Sequence, residues 1–326
     1  MTVVVCTGFC DPSVMRLAPR PMPVAGENEV LIKIAAAGVN RADLLQRKGK
    51  YPPPPGASEI MGLEVSGTVA ALGKGVQKWK VGDKVCALLG GGGYAEYVTV
   101  PGNHCLSVPA NISLKDAASL PEAILTVFAN VFESAALKPK ETVLIHGGTS
   151  SIGIAGIQMV KAHGAKIFVT VGSLDRMDVC RKMGVDLVVD YKREDFVPPV
   201  KNYTDGRGVD VILDMVGGEY IKRNLDALAH LGRHVSIASQ GSPLAEIDVG
   251  VIMQKRLTLT GSTLRARDDA EKARLIAEVE AKVWPWVASG QIKPVIFQSF
   301  PLKNVAEAHK VMESGAQIGK IVLEVS

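Results

Sequence analysis

A glycine-rich turn joins an apolar strand to a helical run in the middle of the chain, and it restricts the fold more than any other feature. The stretch, residues 143–158, reads VLIHGGTSSIGIAGIQ. A strand, a tight turn and a helix in this order bring backbone N–H groups and the positive helix end to one point, which suits a diphosphate. Against the G-x-G-x-x-G pattern, Gly148 and Gly153 take the outer positions and Ser150 the middle one. The turn predicts a dinucleotide-binding unit.

Strands and helices alternate on both sides of this turn. The hydrophobic pattern predicts six strands, at Thr142–His146, Lys166–Val171, Asp186–Asp190, Asp210–Met215, Arg233–Ala238 and Leu257–Gly261. It predicts helices between them at Ile152–His163, Arg176–Met183 and Gly218–His230. Gly164, Gly184 and Gly232 follow the helical runs, where a left-handed closing residue is favoured. Six parallel strands with helical crossovers predict an α/β protein with a doubly wound sheet.

The first part of the chain has a different pattern, of short strands separated by glycine and proline clusters. Predicted strands lie at Val30–Ala35, Gly67–Leu72, Lys84–Leu88 and Ala95–Val100. After the last strand of the alternating region, a charged helix is expected at Asp268–Trp284 and a strand at Lys320–Val325. We expect this tail to return to the β-rich part. The predicted domains are therefore 1–121 with 266–326, and 122–265.

Composition excludes several classes of protein. A chain of 326 residues with 47% hydrophobic residues can fill two cores. Its net charge of +4 is small and the charges are scattered, so we expect neither a nucleic-acid nor a membrane surface. The uncharged stretch Thr142–Val160 is rich in glycine and hydroxyl residues, which favours a buried strand, loop and helix over a membrane span.

Cysteine usage and the first residues indicate the compartment. The chain has five cysteines without a C-x-x-C pair: Cys6, Cys10, Cys86, Cys105 and Cys180. An odd number without this spacing is typical of reduced thiols and not of a disulfide framework. The first ten residues lack the basic start and apolar stretch of a secretion signal. We expect a cytoplasmic protein.

The end of the second strand of the alternating region indicates which dinucleotide is bound. An enzyme that uses NAD places an acidic residue there to accept bonds from the ribose hydroxyls. This strand ends in Gly172 and Ser173, without an acid, and Arg176 and Tyr191 follow. A hydroxyl, a guanidinium and a phenol suit the additional phosphate of NADPH. Two alternatives stay open: Asp175 is counter-evidence unless it caps the helix, and Arg176 is equally explained as a solvated surface residue.

Metal and hydrolase chemistry find no support in the pattern of residues. A zinc site needs three or four nearby Cys, His or carboxylate ligands, and no such cluster is visible. Because Gly232 lies between them, His230 and His234 are not expected to share a helix face. His146 is interpreted as a packed residue. The turn is one residue too long for the G-x-S-x-G motif of serine hydrolases.

Across essentially its whole length, the chain resembles the zinc-free quinone oxidoreductases of the medium-chain dehydrogenase/reductase superfamily, most closely the zeta-crystallin-like and p53-inducible members. The matching stretches are GENEVLIKIAAAGVNRADLLQRKGKYPPPPGAS, MGLEVSGTVAALG, VGDKVCALLGGGGYAEYVTVP, LPEAILTVF, the glycine-rich turn and GKIVLE. Where zinc relatives have a catalytic cysteine and Gly-His-Glu, this chain has Asn40 and Gly62-Leu63-Glu64. The resemblance implies a GroES-like, β-rich catalytic domain interrupted by a Rossmann domain, with the active site in the cleft between them.

The resemblance also implies roles for particular residues. Asn40 and Tyr51 correspond to the polar groups that face the substrate. Positions that correspond to contacts with NADPH are Thr126, Ser150, Ser151, Ile152, Gly153, Gly172, Ser173, Arg176, Tyr191, Gly217, Ser239, Leu264 and Arg265. Plain alternatives remain, because Asn40 also suits a helix cap, Tyr51 suits packing against the prolines that follow it, and Leu264 and Arg265 suit a surface between domains.

The leading hypothesis from the sequence is an NADPH-dependent reductase of ortho- or para-quinones or related conjugated carbonyl compounds. A quinone is electron-poor, so hydride delivery needs close positioning and a donor for the developing oxyanion, which Asn40 and Tyr51 supply. One-electron transfer stays open. The alternatives are an enone or alkenal double-bond reductase, and a non-catalytic protein that binds NADPH or RNA. We also expect a homodimer formed through the edge strand at Leu257–Gly261.

Overall fold

The computed structural model describes residues 1–8 and 11–325, so Cys10 lies outside the described residues. The chain forms two compact units, one of Met1–Leu125 with Arg265–Ser326 and one of Thr126–Leu264. We call them the outer-sequence unit and the nucleotide unit. The domain boundaries after residues 121 and 265 remain predictions of where two independently folding domains meet.

The strands alternate with helices along much of the chain. In chain order, the strands are β1 Thr2–Cys6, β2 Met15–Pro19, β3 Glu29–Val39, β4 Glu64–Leu72, β5 Lys84–Leu88, β6 Tyr97–Pro101, β7 Cys105–Ser107, β8 Thr142–His146, β9 Lys166–Val171, β10 Leu187–Asp190, β11 Val209–Asp214, β12 Leu228–Ser236, β13 Thr258–Gly261, β14 Ile296–Pro301 and β15 Lys320–Glu324.

The helices are mostly short. They are α1 Arg41–Arg47, α2 Leu114–Ala117, α3 Pro121–Val127, α4 Ser151–His163, α5 Leu174–Lys182, α6 Val197–Tyr203, α7 Tyr220–Ala227, α8 Val249–Lys255, α9 Asp269–Lys282, α10 Trp284–Ala288 and α11 Val305–Ser314, with 3-10 turns at Pro12–Val14, Gly102–His104 and Leu302–Asn304 and a π-helical segment at Phe128–Ser134. Within the described part of the chain, no helix combines the length and the apolar character needed to cross a membrane.

The nucleotide unit confirms the predicted doubly wound sheet. Among the described residues, six parallel strands lie in the order β10-β9-β8-β11-β12-β13. The order reverses between β8 and β11, which is the point where a doubly wound sheet binds its ligand at the carboxyl ends of the strands. Leu144 of β8 lies opposite Phe168 of β9 and Ile212 of β11, and all three side chains are fully buried. The glycine-rich turn follows β8 and is therefore at the switch point.

The predicted helix Gly218–His230 is wrong at both ends. Helix α7 spans Tyr220–Ala227, and β12 begins at the next residue. The apolar residues after Ala227 pair with β11, starting with Leu228 opposite Val209, so burial in the sheet overrides the helical pattern. His230 and Gly232 thus lie on a strand, and the left-handed residue there is Leu231 (φ 61°), not Gly232.

Two crossover helices were not predicted. Helix α6, after β10, has Pro198 and Pro199 in its first turn, where a missing N–H costs no helical bond. Helix α8, before β13, is capped by the Asp248 side chain, which accepts from the N–H groups of Gly250 and Val251. The prolines of the first helix and the glycine of the second lower the helical signal of the sequence.

The outer-sequence unit is built on a seven-stranded sheet of described strands in the order β14-β15-β3-β4-β5-β7, with β6 also paired to β3. The last strand, β15, runs antiparallel to β3, with Ile321 opposite Val39. Strand β4 is the antiparallel neighbour of β3 on the other side, with Val65 opposite Ala37. The end of β3 and the starts of β4 and β15 therefore meet at one edge of this sheet.

Candidate functional site

The glycine-rich turn is closed by Ser150, the N-cap residue of α4. Its hydroxyl donates to the carbonyl oxygen of Gly147 at 2.7 Å and accepts from the N–H of Gly153 at 3.0 Å. Gly147 has a left-handed backbone (φ 75°), which glycine adopts without strain. A Cβ on Gly153 would lie 2.4 Å from the Gly147 oxygen, so glycine is needed for the close approach of helix and turn. The Ser150 hydroxyl thus holds the turn itself.

The first helical residues keep donors for a ligand. In residues 1–8 and 11–325, no hydrogen bond occupies the backbone N–H groups of Ser151 and Ile152 or the Ser151 hydroxyl. Both residues are half-buried and begin the thirteen-residue helix α4. Free N–H groups at the positive end of a helix suit an anionic ligand such as a diphosphate. Of the two serines predicted to contact NADPH, only Ser151 has a hydroxyl that is not used to hold the turn.

A pocket of about 430 Å³ lies at the carboxyl ends of β9 and β10. It is lined by Gly172, Ser173, Leu174, Asp175, Asp190, Lys192 and Arg193. Ser173 is the N-cap residue of α5, but its side chain makes no capping bond. Asp175 is therefore not the N-cap residue and lies in the first turn of that helix. The hydroxyl of Ser173 is left for a ligand.

Basic side chains lie at this pocket and between it and the glycine-rich turn. Arg176 extends toward the glycine-rich turn, where its Nη1 donates to the hydroxyl of Thr149 at 2.8 Å. Lys192 and Arg193 line the pocket and were missed in the sequence, although they directly follow Tyr191. Asp190 also lines the pocket, and its carboxylate accepts from the Lys192 backbone N–H at 3.1 Å and lies 3.5 Å from the Arg193 guanidinium. Two acidic and two basic side chains line the pocket, and the Ser173 hydroxyl and the basic groups are its donors for a phosphate group.

Tyr191 and the later loops complete the predicted nucleotide residues. Tyr191 is 42% exposed, and its hydroxyl oxygen would lie 2.9 Å from a Cβ on Gly172, so the glycine admits the ring. Gly217 has a left-handed backbone (φ 67°) and donates its N–H to Asp214. Exposed Ser239 lies beside Gly217, with its Cα 3.2 Å from the position of a Cβ there. The loops after β11 and β12 thus meet.

Two other predicted nucleotide residues lie at the ends of the nucleotide unit. Thr126, its first residue, is 8% exposed, and its carbonyl oxygen accepts from the Asn130 amide at 2.8 Å. Leu264, its last residue, is half-buried. These two residues therefore mark where the chain enters and leaves the nucleotide unit.

A buried polar chain runs beneath the carboxyl edge of the nucleotide sheet. His146 contacts the Thr170 hydroxyl at 3.0 Å and the Asn224 amide oxygen at 2.8 Å. The Asn224 amide nitrogen donates to Asp214 at 3.1 Å, and His234 lies 3.2 Å from the same carboxylate oxygen. Burial lowers the pKa of His146 to about 4, so the ring is neutral near pH 7. The interpretation of His146 as a packed residue is confirmed.

In the outer-sequence unit, Tyr51 is held by Arg265. The guanidinium lies over the Tyr51 ring, 5.2 Å from its centroid, and Nη1 donates to the Tyr51 carbonyl oxygen at 3.3 Å. The same side chain donates to the Gly90 carbonyl oxygen and to the Gln46 side-chain oxygen, each at 2.8 Å. Burial raises the pKa of the Tyr51 phenol, which is therefore neutral near pH 7. The phenol remains a donor.

Asn40 is the N-cap residue of α1, at the edge where three strand ends meet. Its backbone N–H donates to the Asp43 carboxylate at 2.8 Å, as in a capping box. Its side-chain amide is directed elsewhere: the nitrogen donates to Glu64 at 3.0 Å, and the oxygen accepts from Lys320 at 2.7 Å. Asn40 therefore has the position of a helix cap, but its amide belongs to a buried polar cluster.

The carboxylate of Asp43 ties the same segment to the core. It accepts the backbone N–H of Gly62 at 3.1 Å as well as that of Asn40. Burial raises its pKa to about 6, and these hydrogen bonds act in the opposite direction. Behind it, the Tyr94 hydroxyl lies 3.2 Å from His309, whose other ring nitrogen lies 3.1 Å from the Arg47 guanidinium. Among the described residues, no group of three or more His, Cys, Asp or Glu side chains is arranged to hold a metal ion.

Comparisons with known proteins agree with this architecture. Residues 26–110 match the alcohol dehydrogenase GroES-like domain, and residues 183–323 match the zinc-binding dehydrogenase family. Quinone oxidoreductase 1 of Escherichia coli (strain K12) is 32% identical over 301 residues, which cover 91% of each chain. The structure of Escherichia coli quinone oxidoreductase complexed with NADPH is 30% identical, with a TM-score of 0.89 over 99% of this chain and 100% of the other. The enoyl reductase CurK is 26% identical, with a TM-score of 0.86 over 100% and 99%.

Proposed function

This chain belongs to the zeta-crystallin-like quinone oxidoreductases of the medium-chain dehydrogenase/reductase superfamily, and from that premise we propose that it reduces quinones with NADPH. The observation that carries the proposal is the pocket at the carboxyl ends of β9 and β10, where the Ser173 hydroxyl makes no capping bond and lies with Lys192 and Arg193. Ser173 and Arg176 are the donors proposed for the additional phosphate of NADPH, and Lys192 and Arg193 add positive charge.

The residues of the nucleotide unit fit a dinucleotide phosphate. The free N–H groups of Ser151 and Ile152 bind the diphosphate, because they lie at the start of α4. The clash that a Cβ would cause at Gly153 shows that the turn has no room for a larger residue. Tyr191 contacts the adenosine end, and Gly172 lets its ring approach the backbone. The remaining predicted contacts are Thr126, Gly217, Ser239 and Leu264.

The outer-sequence unit supplies the polar groups for the substrate. When bound, NADPH supplies the hydride, and the quinone oxygen then gains negative charge that a hydrogen-bond donor stabilises. We assign this role to the Asn40 amide and the Tyr51 phenol, which Arg265 holds in place. Water supplies the one proton that, together with the hydride, completes the hydroquinone.

The test is an assay of purified protein with NADPH and a panel of ortho- and para-quinones. We expect loss of NADPH absorbance above the rate without protein, and a lower KM for NADPH than for NADH. A spin trap for the semiquinone separates one-electron from two-electron transfer. An absence of NADPH oxidation with every quinone would contradict the proposal.

A second candidate is reduction of a conjugated carbon–carbon double bond, which the structural likeness to an enoyl reductase favours. Such a reaction uses the same hydride and the same oxyanion donors, with transfer to carbon β to the carbonyl. The two reactions are separated by their products. An enone panel analysed by mass spectrometry gives a saturated ketone only if the chain is a double-bond reductase.

We also propose that the chain forms a homodimer through β13, the edge strand of the nucleotide sheet. Strand β13 pairs with β12 on one side, and Thr258, Thr260 and Gly261 are exposed. Exposed apolar side chains cluster in the same part of the sequence, with Leu244 at 81% and Met253 at 72%. An exposed edge of this kind invites pairing with a second copy. Light scattering should give twice the chain mass, and Thr258→Lys with Thr260→Lys should give the monomer.

A cytoplasmic location is proposed on the character of the cysteines. Cys86, Cys105 and Cys180 are buried free thiols, and burial raises the pKa of each, which keeps them protonated and unreactive. Such thiols are typical of a reducing compartment. Fractionation of cells that express the tagged chain tests the location.

A further inference from the structure

A buried ion pair holds the side-chain amide of Asn40 from two sides. Lys320 is 2% exposed and Glu64 is fully buried, and their charged groups contact each other directly. The amide oxygen of Asn40 accepts from Lys320 Nζ at 2.7 Å, and the amide nitrogen donates to Glu64 Oε1 at 3.0 Å. The three residues start or follow neighbouring strands of one sheet, so the backbone fixes their relative positions.

The chemistry of the two charged partners allows one orientation of the amide. An ammonium group has donors only, and an ionised carboxylate has acceptors only. Rotation of the amide by half a turn would place its N–H groups against the ammonium and its oxygen against the carboxylate. Both contacts would then be repulsive inside the protein, where unsatisfied charges cost most. The ion pair thus determines which atom of Asn40 faces which way.

Glu64 is itself held in place. Its other carboxylate oxygen accepts the backbone N–H of Glu122 at 2.9 Å. On the neighbouring strand, Gly38 leaves room for it, because a Cβ there would lie 2.2 Å from Glu64 Oε1. Both carboxylate oxygens therefore accept hydrogen bonds, and the backbone at Gly38 lies close against one of them. Its position does not depend on Asn40.

The Asn40 amide nitrogen carries two hydrogens, and Glu64 takes one of them. In the part of the chain that the structure describes, no acceptor contacts the other hydrogen. Asn40 retains 5% exposure, unlike Glu64. We propose that Lys320 and Glu64 are positioning residues that fix the Asn40 amide with its second N–H directed at the substrate oxygen. This inference rests on the proposed quinone reduction, in which Asn40 is a donor.

The decisive variant is the double substitution K320M/E64Q. It removes both buried charges while keeping similar volume, which proteins often tolerate. A glutamine at position 64 offers a donor and an acceptor, so it no longer dictates the Asn40 orientation. The matched control is K115M/E324Q, which removes an exposed ion pair of the same unit (3.9 Å). Thermal unfolding checks that both proteins are folded.

We expect the kcat of K320M/E64Q for quinone reduction to fall about tenfold or more, up to the roughly 10²- to 10³-fold loss seen when an oxyanion donor is deleted. The dissociation constant for NADPH, measured by fluorescence, should stay unchanged, because no residue of the nucleotide unit is altered. The control should keep the kcat of the natural chain. A folded double variant with unchanged kcat would overturn the proposal.

A second readout needs no turnover. In nitrogen-edited NMR, the two amide protons of Asn40, assigned by their loss in N40D, should differ in chemical shift by more than those of an exposed asparagine, because the one bonded to Glu64 is shifted downfield. This excess difference should disappear in K320M/E64Q and persist in the control. If the natural chain oxidises no NADPH, the proposed function fails, and this signal alone decides whether Lys320 and Glu64 fix the orientation of the Asn40 amide. An unchanged signal in the double variant would show that Lys320 and Glu64 do not orient the Asn40 amide, whatever the activity.

Discussion

The guanidinium of Arg265 covers the ring of Tyr51 at 5.2 Å from its centroid and also donates to the Tyr51 carbonyl oxygen. These residues are 214 positions apart in the sequence. Arg265 is 6% exposed, and its other nitrogens donate to Gly90 and Gln46. The contacts make Arg265 a support for the Tyr51 segment, a role that its predicted contact with the cofactor does not explain.

We therefore predict that Arg265→Met raises the KM for quinone more than the KM for NADPH. The variant loses several charge-assisted hydrogen bonds, each worth about 1.5–3 kcal/mol, so the free energy of unfolding should fall by about 3 kcal/mol or more. Urea unfolding and steady-state kinetics measure the two effects. Arg274→Met removes an exposed arginine paired with Glu278 and should change neither. A selective rise in the NADPH KM would instead assign Arg265 to the cofactor.

Arg176 is predicted to select NADPH over NADH. Its guanidinium donates to Thr149 of the glycine-rich turn, and Arg176 lies in the first turn of α5, whose N-cap residue Ser173 lines the pocket. Removing a charge-assisted bond to the additional phosphate costs about 1.5–3 kcal/mol. The KM for NADPH should therefore rise roughly tenfold to a hundredfold in Arg176→Gln, with little change for NADH.

The control for this prediction is Arg181→Gln on the same helix. Arg181 is paired with Asp178 on the exposed face of α5, with 57% of its side chain accessible. It should leave the preference between the two cofactors unchanged. Equal losses for NADPH and NADH in Arg176→Gln would mean that the residue supports the turn through Thr149 and does not bind the phosphate.

The sequence pattern predicted the nucleotide sheet well because local period and burial agree there. Strands β8 and β9 begin and end at the predicted residues, and all described strands of that sheet were expected. The prediction was wrong where the hydrophobic period of the sequence and burial in the sheet favour different structures. Leu228 and Ala229 continue a helical run, but pairing with β11 draws them into a strand. Helix α6 was not predicted for a different reason, because the prolines at its start lower the helical signal of the sequence.

The candidate site could be predicted only where its residues are neighbours in sequence. The turn from Gly147 to Gly153 is local, and its glycines and serines indicate its role directly. The partner of Asn40 is different: Lys320 lies 280 residues away and reaches it only because β15 pairs with β3. Asn40 was therefore expected as a substrate contact or a cap, while the ion pair that orients its amide carries no sequence signal.

Acid pH is predicted to destabilise the chain partly through His146. Burial lowers its folded pKa to about 4, against about 6.5 in an unfolded chain. Between these values the unfolded state binds the extra proton, so the free energy of unfolding falls as pH falls from about 6.5 to about 4. The free energy of unfolding lost through protonation of His146 over this range is roughly 3 kcal/mol.

The comparison with His146→Gln isolates this effect from other groups. Urea unfolding is measured for both proteins at several pH values in that window. The variant loses packing and hydrogen bonds at every pH, but its stability should decline less steeply on acidification. Parallel stability curves for the two proteins would show that His146 does not stay neutral in the folded state.

The close approach of Gly153 to the turn gives the sharpest test of the nucleotide unit. A Cβ at this position would lie 2.4 Å from the Gly147 oxygen and 2.7 Å from the Gly148 Cα, and these backbone atoms cannot move away without opening the turn. Gly153→Ala should therefore weaken NADPH binding by at least about tenfold, because the N–H groups of Ser151 and Ile152 lose their arrangement. Gly156→Ala on the same helix is the matched control, since the one close contact of its Cβ is the flexible Cδ1 of Ile145 at 2.4 Å and its next contacts, at 3.8 Å and beyond, are ordinary. That variant should bind NADPH normally and keep its stability, because alanine's gain in helix propensity of about 1 kcal/mol offsets the shift of Ile145. Titration of cofactor fluorescence measures both, and normal binding by Gly153→Ala would remove the turn from the proposed cofactor site.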